Sequence, residues 1–289
     1  MWIRIPVHLP FSQSMDWRLI RPHPESKPQP RHAMTTISDT YTTPDRPLST
    51  LSRMFPSLVF YARTLAIVFQ AAWRTRKRYS MAEWAEDSIA FRNACEACGL
   101  RLHAENINAF TSLPGPCVIV ANHMSTLETF ILPGLLAPIR PVTFVLKRSL
   151  TTYPVFRHVV NAIEPIAVDR VNPRDDFRIV MDEGVERLAR GISLIIFPQT
   201  TRTPSLNRAA FNTIGIKLAK KAGVPVLPLA LKTDAWGVGS LIKDYGPIHP
   251  EIPVHFSLGS PIHIRGAGKN EHEEVMEFIH WKLESWRAL

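Results

Sequence analysis

Cys117-Val118-Ile119-Val120-Ala121-Asn122-His123-Met124-Ser125-Thr126-Leu127-Glu128 passes from a continuous apolar run directly into polar residues able to do chemistry. The first five positions read as a buried strand. His123 then falls at the carboxyl end of that strand, where open α/β sheets bind their ligands. Apolar runs of similar length recur at 142–146, 166–168, 192–197, 226–231 and 254–258. The intervening stretches, such as 175–190 and 209–222, are long enough for crossover helices. This alternation predicts an α/β domain over 101–289, a mixed sheet flanked by helices and closed by an amphipathic helix over 269–287.

The chain before this domain has a different character. Residues 1–50 are rich in Pro, Ser and Thr and read as a disordered or poorly ordered tail. The first ten residues interrupt their apolar positions with Arg4, His8 and two prolines, unlike the h-region of a secretory signal. Over 57–78, Leu58, Phe60, Tyr61, Leu65, Ile67, Val68 and Phe69 form a broad apolar face, with Arg63, Gln70, Arg74 and Lys77 opposite. Arg53, Arg63, Arg74, Arg76, Lys77 and Arg78 accumulate without an acidic residue between Leu51 and Ala82. An apolar face with a purely basic polar side suits a helix lying in a membrane interface. A second helix over 81–97 closes at Gly99. Residues 51–100 therefore read as a two-helix membrane-associating motif, and no apolar stretch is long enough to predict a clean transmembrane helix.

The 289 residues carry a formal charge of +9, which suits nucleic acid, an anionic membrane or an acidic substrate. No helix-turn-helix, RNP-like or zinc-finger pattern appears, so nucleic acid is not expected as a partner. The three cysteines give no disulfide framework. Cys95 and Cys98 share a helical stripe with Met81, Trp84, Ser88 and Phe91, which makes them apolar packing groups in a reducing compartment. His249, His255 and His263 lack metal-ligand spacing, so no metal is expected. No G-x-S-x-G marks a serine hydrolase.

The chemistry centres on His123 and Glu128. Five positions apart, the two meet if the histidine sits in the turn before a helix and the carboxylate in its first turn. The carboxylate would then fix the tautomer and free the other ring nitrogen to take a proton. The same residues also spell a capping box, Ser125-Thr126-Leu127-Glu128, in which Glu128 would only bond the backbone. From this stretch alone the two readings stand side by side.

Further motifs follow in order. They are Lys147-Arg148-Ser149-Leu150, Glu164-Pro165-Ile166-Ala167-Val168-Asp169-Arg170, Phe197-Pro198-Gln199-Thr200-Thr201-Arg202 and Val224-Pro225-Val226-Leu227-Pro228. With Asn122-His123 and its carboxylate, this set resembles the glycerolipid (lysophospholipid) acyltransferase superfamily, which contains the bacterial 1-acylglycerol-3-phosphate acyltransferases. The likeness covers about 55–264.

The resemblance implies transfer of a fatty acyl chain from acyl-CoA or acyl carrier protein, as a substrate with no separate cofactor, to a lysophospholipid hydroxyl. His123 would be the general base and Glu128 its orienting partner. Lys147, Arg170 and Arg202, with Gln199, Thr200 and Thr201, would bind the acceptor and its phosphate. It further implies work on the cytoplasmic face of a membrane with anionic lipids, as a monotopic or peripheral protein. The chemistry coheres independently, because a thioester is already activated and needs chiefly a base and oxyanion donors. Arginine's planar fork matches phosphate oxygens. Asp169 and Asp175 offer an alternative, ordinary ion pair to Arg170.

Two positions depart from the family pattern. Glu128 stands where Asp is usual, and Gln199-Thr200 replaces Glu-Gly. They leave open a catalytically impaired lysolipid- or membrane-binding protein of the same fold, or an acyltransferase with a different lipid acceptor.

Overall fold

A computed structural model describes residues 38–75, 79–153, 156–199, 201–239 and 245–288. Among them the strands are β1 (Tyr41–Thr42), β2 (Leu102–Glu105), β3 (Val118–Ala121), β4 (Val142–Lys147), β5 (Ile166–Val168), β6 (Ser193–Ile196), β7 (Val226–Lys232) and β8 (Val254–Leu258). The helices are α1 (Thr50–Met54), α2 (Pro56–Arg74), α3 (Met81–Ala97), α4 (Asn108–Thr111), α5 (Leu127–Leu136), α6 (Phe156–Ala162), α7 (Pro173–Ala189), α8 (Ile214–Ala222) and α9 (Lys269–Arg287). The strands form one mixed sheet in the order β1-β2-β8-β7-β3-β6-β4-β5.

β7, β3, β6, β4 and β5 run parallel, so the residues following each of them gather at one edge of the sheet. β8 returns antiparallel to β7. Alternating side chains divide the core into two layers. Val118 and Val120 of β3, with Val145 of β4, pack with α7, α8 and α9 through Val180, Leu218 and Ile279. On the opposite face Phe144 of β4 meets Trp84 of α3 edge-on, with centroids 5.9 Å apart. There Phe60 of α2, Phe91 of α3, Phe130 of α5 and Trp236 build an aromatic cluster.

α3 approaches α5 closely. The Ser88 hydroxyl receives Gly134 N at 2.7 Å and donates to the Phe130 carbonyl, standing inside what would otherwise be a direct helical bond. Pro133 already interrupts this helix, so the serine satisfies backbone groups freed at the break. A Cβ at position 134 would lie 2.8 Å from that hydroxyl and 3.2 Å from Ile89 N, which explains the glycine.

Several expectations change. Residues 38–50 do not belong to a poorly ordered tail. Tyr41 and Thr42 pair with Ala104 and His103, and the Thr43 hydroxyl receives Leu102 N at 2.8 Å. Residues 1–37 lie outside the described residues. The helix expected over 209–222 divides into a 3₁₀ turn, Arg208–Ala210, and α8. Asn212 separates them, its side chain accepting from Ile214 N at 3.0 Å, as short polar side chains do at helix starts.

The apolar face of α2 splits in two. Phe60 and Val68 are buried, whereas Leu58 (63%), Leu65 (53%) and Phe69 (61%) stay exposed. Arg74 is not part of a free basic stripe, because it pairs with Asp87 of α3, which also accepts from the Tyr79 hydroxyl. Arg76, Lys77 and Arg78 lie outside the described residues. Among the described residues no helix is long and apolar enough to cross a membrane. Cys95, Cys98 and Cys117 are free and buried, and burial pushes the Cys98 thiol up to about 11.

Candidate active site

β3 ends at Ala121, and Asn122 continues its pairing by side chain. The Asn122 carboxamide donates to Leu231 O at 2.7 Å and accepts from Leu231 N at 2.8 Å, so β7 stays locked beside the turn that follows. His123 occupies that turn and Glu128 the first turn of α5, which brings the His123 ring to Glu128 Oε1 with Nδ1 at 2.8 Å. The histidine side chain is 14% exposed and the glutamate fully buried.

The same carboxylate also accepts Met124 N at 2.8 Å, Ser125 N at 3.1 Å, the Ser125 hydroxyl at 3.0 Å and the Thr233 hydroxyl at 2.5 Å. Glu128 thus bonds both the backbone of the turn and the histidine, but the capping box itself does not form: Thr126, not Ser125, is the N-cap residue, and the Ser125 hydroxyl accepts from Leu127 N at 3.0 Å. Burial alone would raise the Glu128 carboxyl. The His123 bond and charge, the Thr233 hydroxyl and backbone donors outweigh it and hold the group below its usual range. An ionised carboxylate only accepts, so Nδ1 carries the proton and Nε2 of a neutral ring presents a lone pair.

Phe197, following β6, stacks on the His123 ring with centroids 4.4 Å apart and planes 17° off parallel. Beyond it the loop binds the histidine turn twice. Thr203 N donates to His123 O at 2.9 Å, and Arg202 Nη1 donates to the Thr126 hydroxyl at 2.8 Å. Gln199 is buried and donates to the Thr203 hydroxyl at 2.8 Å, while its own carbonyl oxygen lacks a hydrogen-bond partner among the described residues. Thr201 is exposed, and Thr200 lies outside the described residues.

Arg170 follows β5 in the left-handed region, at φ 61°, a conformation costly for a residue with a Cβ. Asp176 holds it there, accepting Asp169 N at 3.0 Å and Arg170 N at 2.8 Å. Although the arginine stays largely exposed, partial desolvation lowers its pKa. Asp176 opposes that shift, and the charge of Arg202 adds to it. The charges of the two arginines thus act on each other.

The proposed ion pairs of Arg170 with Asp169 and Asp175 do not form. Asp169 pairs with Arg148 at 2.8 Å, and Asp175 turns to Asn172 and Arg178. Lys147 ends β4 opposite Val168, exposed at the same sheet edge. It makes no hydrogen bond or ion pair with another described residue of the site.

The family model described as Acyltransferase matches residues 100–232, a span that includes His123, Glu128, Lys147, Arg170, Gln199 and Arg202 and ends just before Thr233. The chain is 31% identical over 215 residues to the 1-acyl-sn-glycerol-3-phosphate acyltransferase of Pseudomonas aeruginosa, covering 74% of this chain and 77% of that protein. The chain belongs to the glycerolipid acyltransferase family. A probable 1-acyl-sn-glycerol-3-phosphate acyltransferase of Mycoplasma pneumoniae is 26% identical over 61% of this acyltransferase and 68% of its own length. The fold matches the crystal structure of the 1-acyl-sn-glycerophosphate acyltransferase PlsC from Thermotoga maritima. That comparison gives a TM-score of 0.61 and 19% identity, over 82% of this chain and 96% of the other.

The enzyme is thus an O-acyltransferase, as the sequence motifs implied. Three residues of the candidate site were not singled out from the sequence. Asn122 and Phe197 lie within the motifs, where their types gave no hint of a strand-extending or ring-stacking duty. Thr233 stands 105 positions from Glu128, and no local pattern reports such a contact.

Proposed function

We propose that this acyltransferase moves a fatty acyl chain from acyl-CoA or acyl carrier protein to the free hydroxyl of a 1-acylglycerol-3-phosphate-type lysophospholipid, a step of phospholipid synthesis. The observation that carries this reading is the commitment of His123 Nδ1 to the buried Glu128 carboxylate at 2.8 Å. Nε2 then removes the proton from the acceptor hydroxyl as its oxygen attacks the thioester carbonyl. A C–O bond forms, the C–S bond breaks, and the imidazolium returns its proton to the departing thiolate. Glu128 stabilises the imidazolium between those steps and stays ionised throughout.

Arg170 and Arg202 hold the acceptor's phosphate, with Lys147 adding charge at the same sheet edge and Gln199, Thr200 and Thr201 adding contacts to the acceptor. Anchoring the headgroup positions the hydroxyl at the imidazole. The naming of the relatives for 1-acyl-sn-glycerol-3-phosphate supports this choice of acceptor. Exposed Leu58, Leu65 and Phe69 on α2 dip into the cytoplasmic face of a membrane bearing anionic lipids, where the acceptor resides.

A lysolipid panel tests the substrate assignment. Purified enzyme is given labelled acyl-CoA or acyl carrier protein with phosphorylated and phosphate-free acceptors, and products are read by mass. The 1-acylglycerol-3-phosphate acceptor should dominate, and Arg202→Lys should raise its KM more than that of the donor, since the bidentate fork is lost. Equal acylation of phosphate-free lysolipids would show that Gln199-Thr200 mark a different acceptor class.

A further inference from the structure

The donors that hold Glu128 come from two places. Met124 N, Ser125 N and the Ser125 hydroxyl belong to the same turn as His123, and they move with it. The Thr233 hydroxyl comes instead from the far end of β7, at 2.5 Å from Oε2. Thr233 is fully buried, so its hydroxyl has no water to serve. β7 in turn is fixed against the histidine turn by the paired bonds between the Asn122 side chain and Leu231. The Ser125 amide and hydroxyl also reach Oε2, at 3.1 and 3.0 Å, so the turn touches both oxygens, and the Thr233 hydroxyl is the donor to Oε2 that comes from outside that turn.

We propose that Thr233 is a positioning residue of the transfer reaction: its hydroxyl pins Glu128 Oε2, so that Oε1 stays directed at His123 Nδ1. The proposal rests on the reading of His123 as the base. A carboxylate with one oxygen fixed cannot rotate away from the imidazole, and the ring nitrogen facing the substrate keeps one orientation. Asn122 serves the same end indirectly, by setting the register at which β7 delivers the hydroxyl.

The test is a double-mutant cycle with both KM values measured. Thr233→Val keeps the shape and removes the donor. It should lower kcat on the order of tenfold, the worth of a hydrogen bond to a charged group, with the acceptor and donor KM values little changed. Thr233→Ser, which keeps the hydroxyl, should retain most of the turnover. In a Glu128→Gln background Thr233→Val should add little further loss, because the two act as one unit. Thr233→Ala supplies the same comparison if the valine variant does not fold.

A wild-type kcat in folded Thr233→Val, or an equal fold-loss in both backgrounds, would overturn the proposal. His123→Ala run in parallel separates the failures. An inactive His123→Ala enzyme beside a silent Thr233→Val removes only Thr233's role. Near-normal turnover of His123→Ala removes the base and the proposal together.

Discussion

A carboxylate wholly withdrawn from water persists as an anion only when donors replace that water. Glu128 has them in Met124 N, Ser125 N and the hydroxyls of Ser125 and Thr233, besides the imidazole. Glu128→Gln would set an amide nitrogen among those donors. It should cost stability of about 1–3 kcal/mol as well as turnover, the toll of a buried unsatisfied polar group. The pH dependence has a definite sign. The folded carboxyl titrates below its reference value of 4.5, so its contribution is complete above that value and is lost as the pH falls through the lower folded pKa. Thermal melts across the acid range should show a shallower acid-side decline in Glu128→Gln than in the parent. Parallel declines would mean that Glu128 is not held ionised by its surroundings. The His123–Glu128 contact was legible because it lies within one turn of chain, where spacing dictates geometry. The extra methylene of glutamate is accommodated by that turn. Thr233 was not legible, because a contact made across a sheet leaves no local signature.

The helices behind the site explain why a turn can hold such geometry. α5 carries Glu128, and its position depends on α3 coming close enough for Ser88 to reach Gly134 N and Phe130 O. Gly134→Ala should push α3 outward against the Ser88 hydroxyl and the backbone of Ile89. A loss of about 1–3 kcal/mol is expected for such overpacking, read as a lower urea midpoint with an unchanged slope. An unchanged midpoint would mean that the helices separate without cost. Periodicity marked α3 and α9 to the residue and the longer strands to within a residue or two, because a continuous buried run or a stripe of buried positions is a strong local signal. β1 and β2 escaped notice. β1 is two residues long within a proline- and threonine-rich stretch, and β2, Leu102-His103-Ala104-Glu105, alternates polar with apolar residues too briefly to stand out. The division of α2's apolar face was not legible, since sequence cannot tell which apolar residues dock on α3. Arg74 was misread for the same reason, its partner Asp87 lying on another helix.

At the scale of the molecule, the proposed function requires a sheet edge bearing His123, Arg170, Arg202 and Lys147 to reach a lipid that does not leave the membrane readily. Leu58, Leu65 and Phe69 are the means by which α2 would hold the enzyme there. Changing Leu65 and Phe69 together to Ser should reduce binding to anionic liposomes and lower activity on bilayer-embedded acceptor, with activity on detergent-dispersed acceptor preserved. Unchanged liposome binding would show that another surface docks. The chemical step itself is tested most directly by turnover of His123→Ala with labelled acyl thioester and 1-acylglycerol-3-phosphate, after circular dichroism has confirmed the fold. Removal of the base should slow acyl transfer by roughly 10²–10⁴-fold with the chain still folded. A folded His123→Ala enzyme that transfers acyl groups at close to the parent rate would contradict the assignment of His123 as the base.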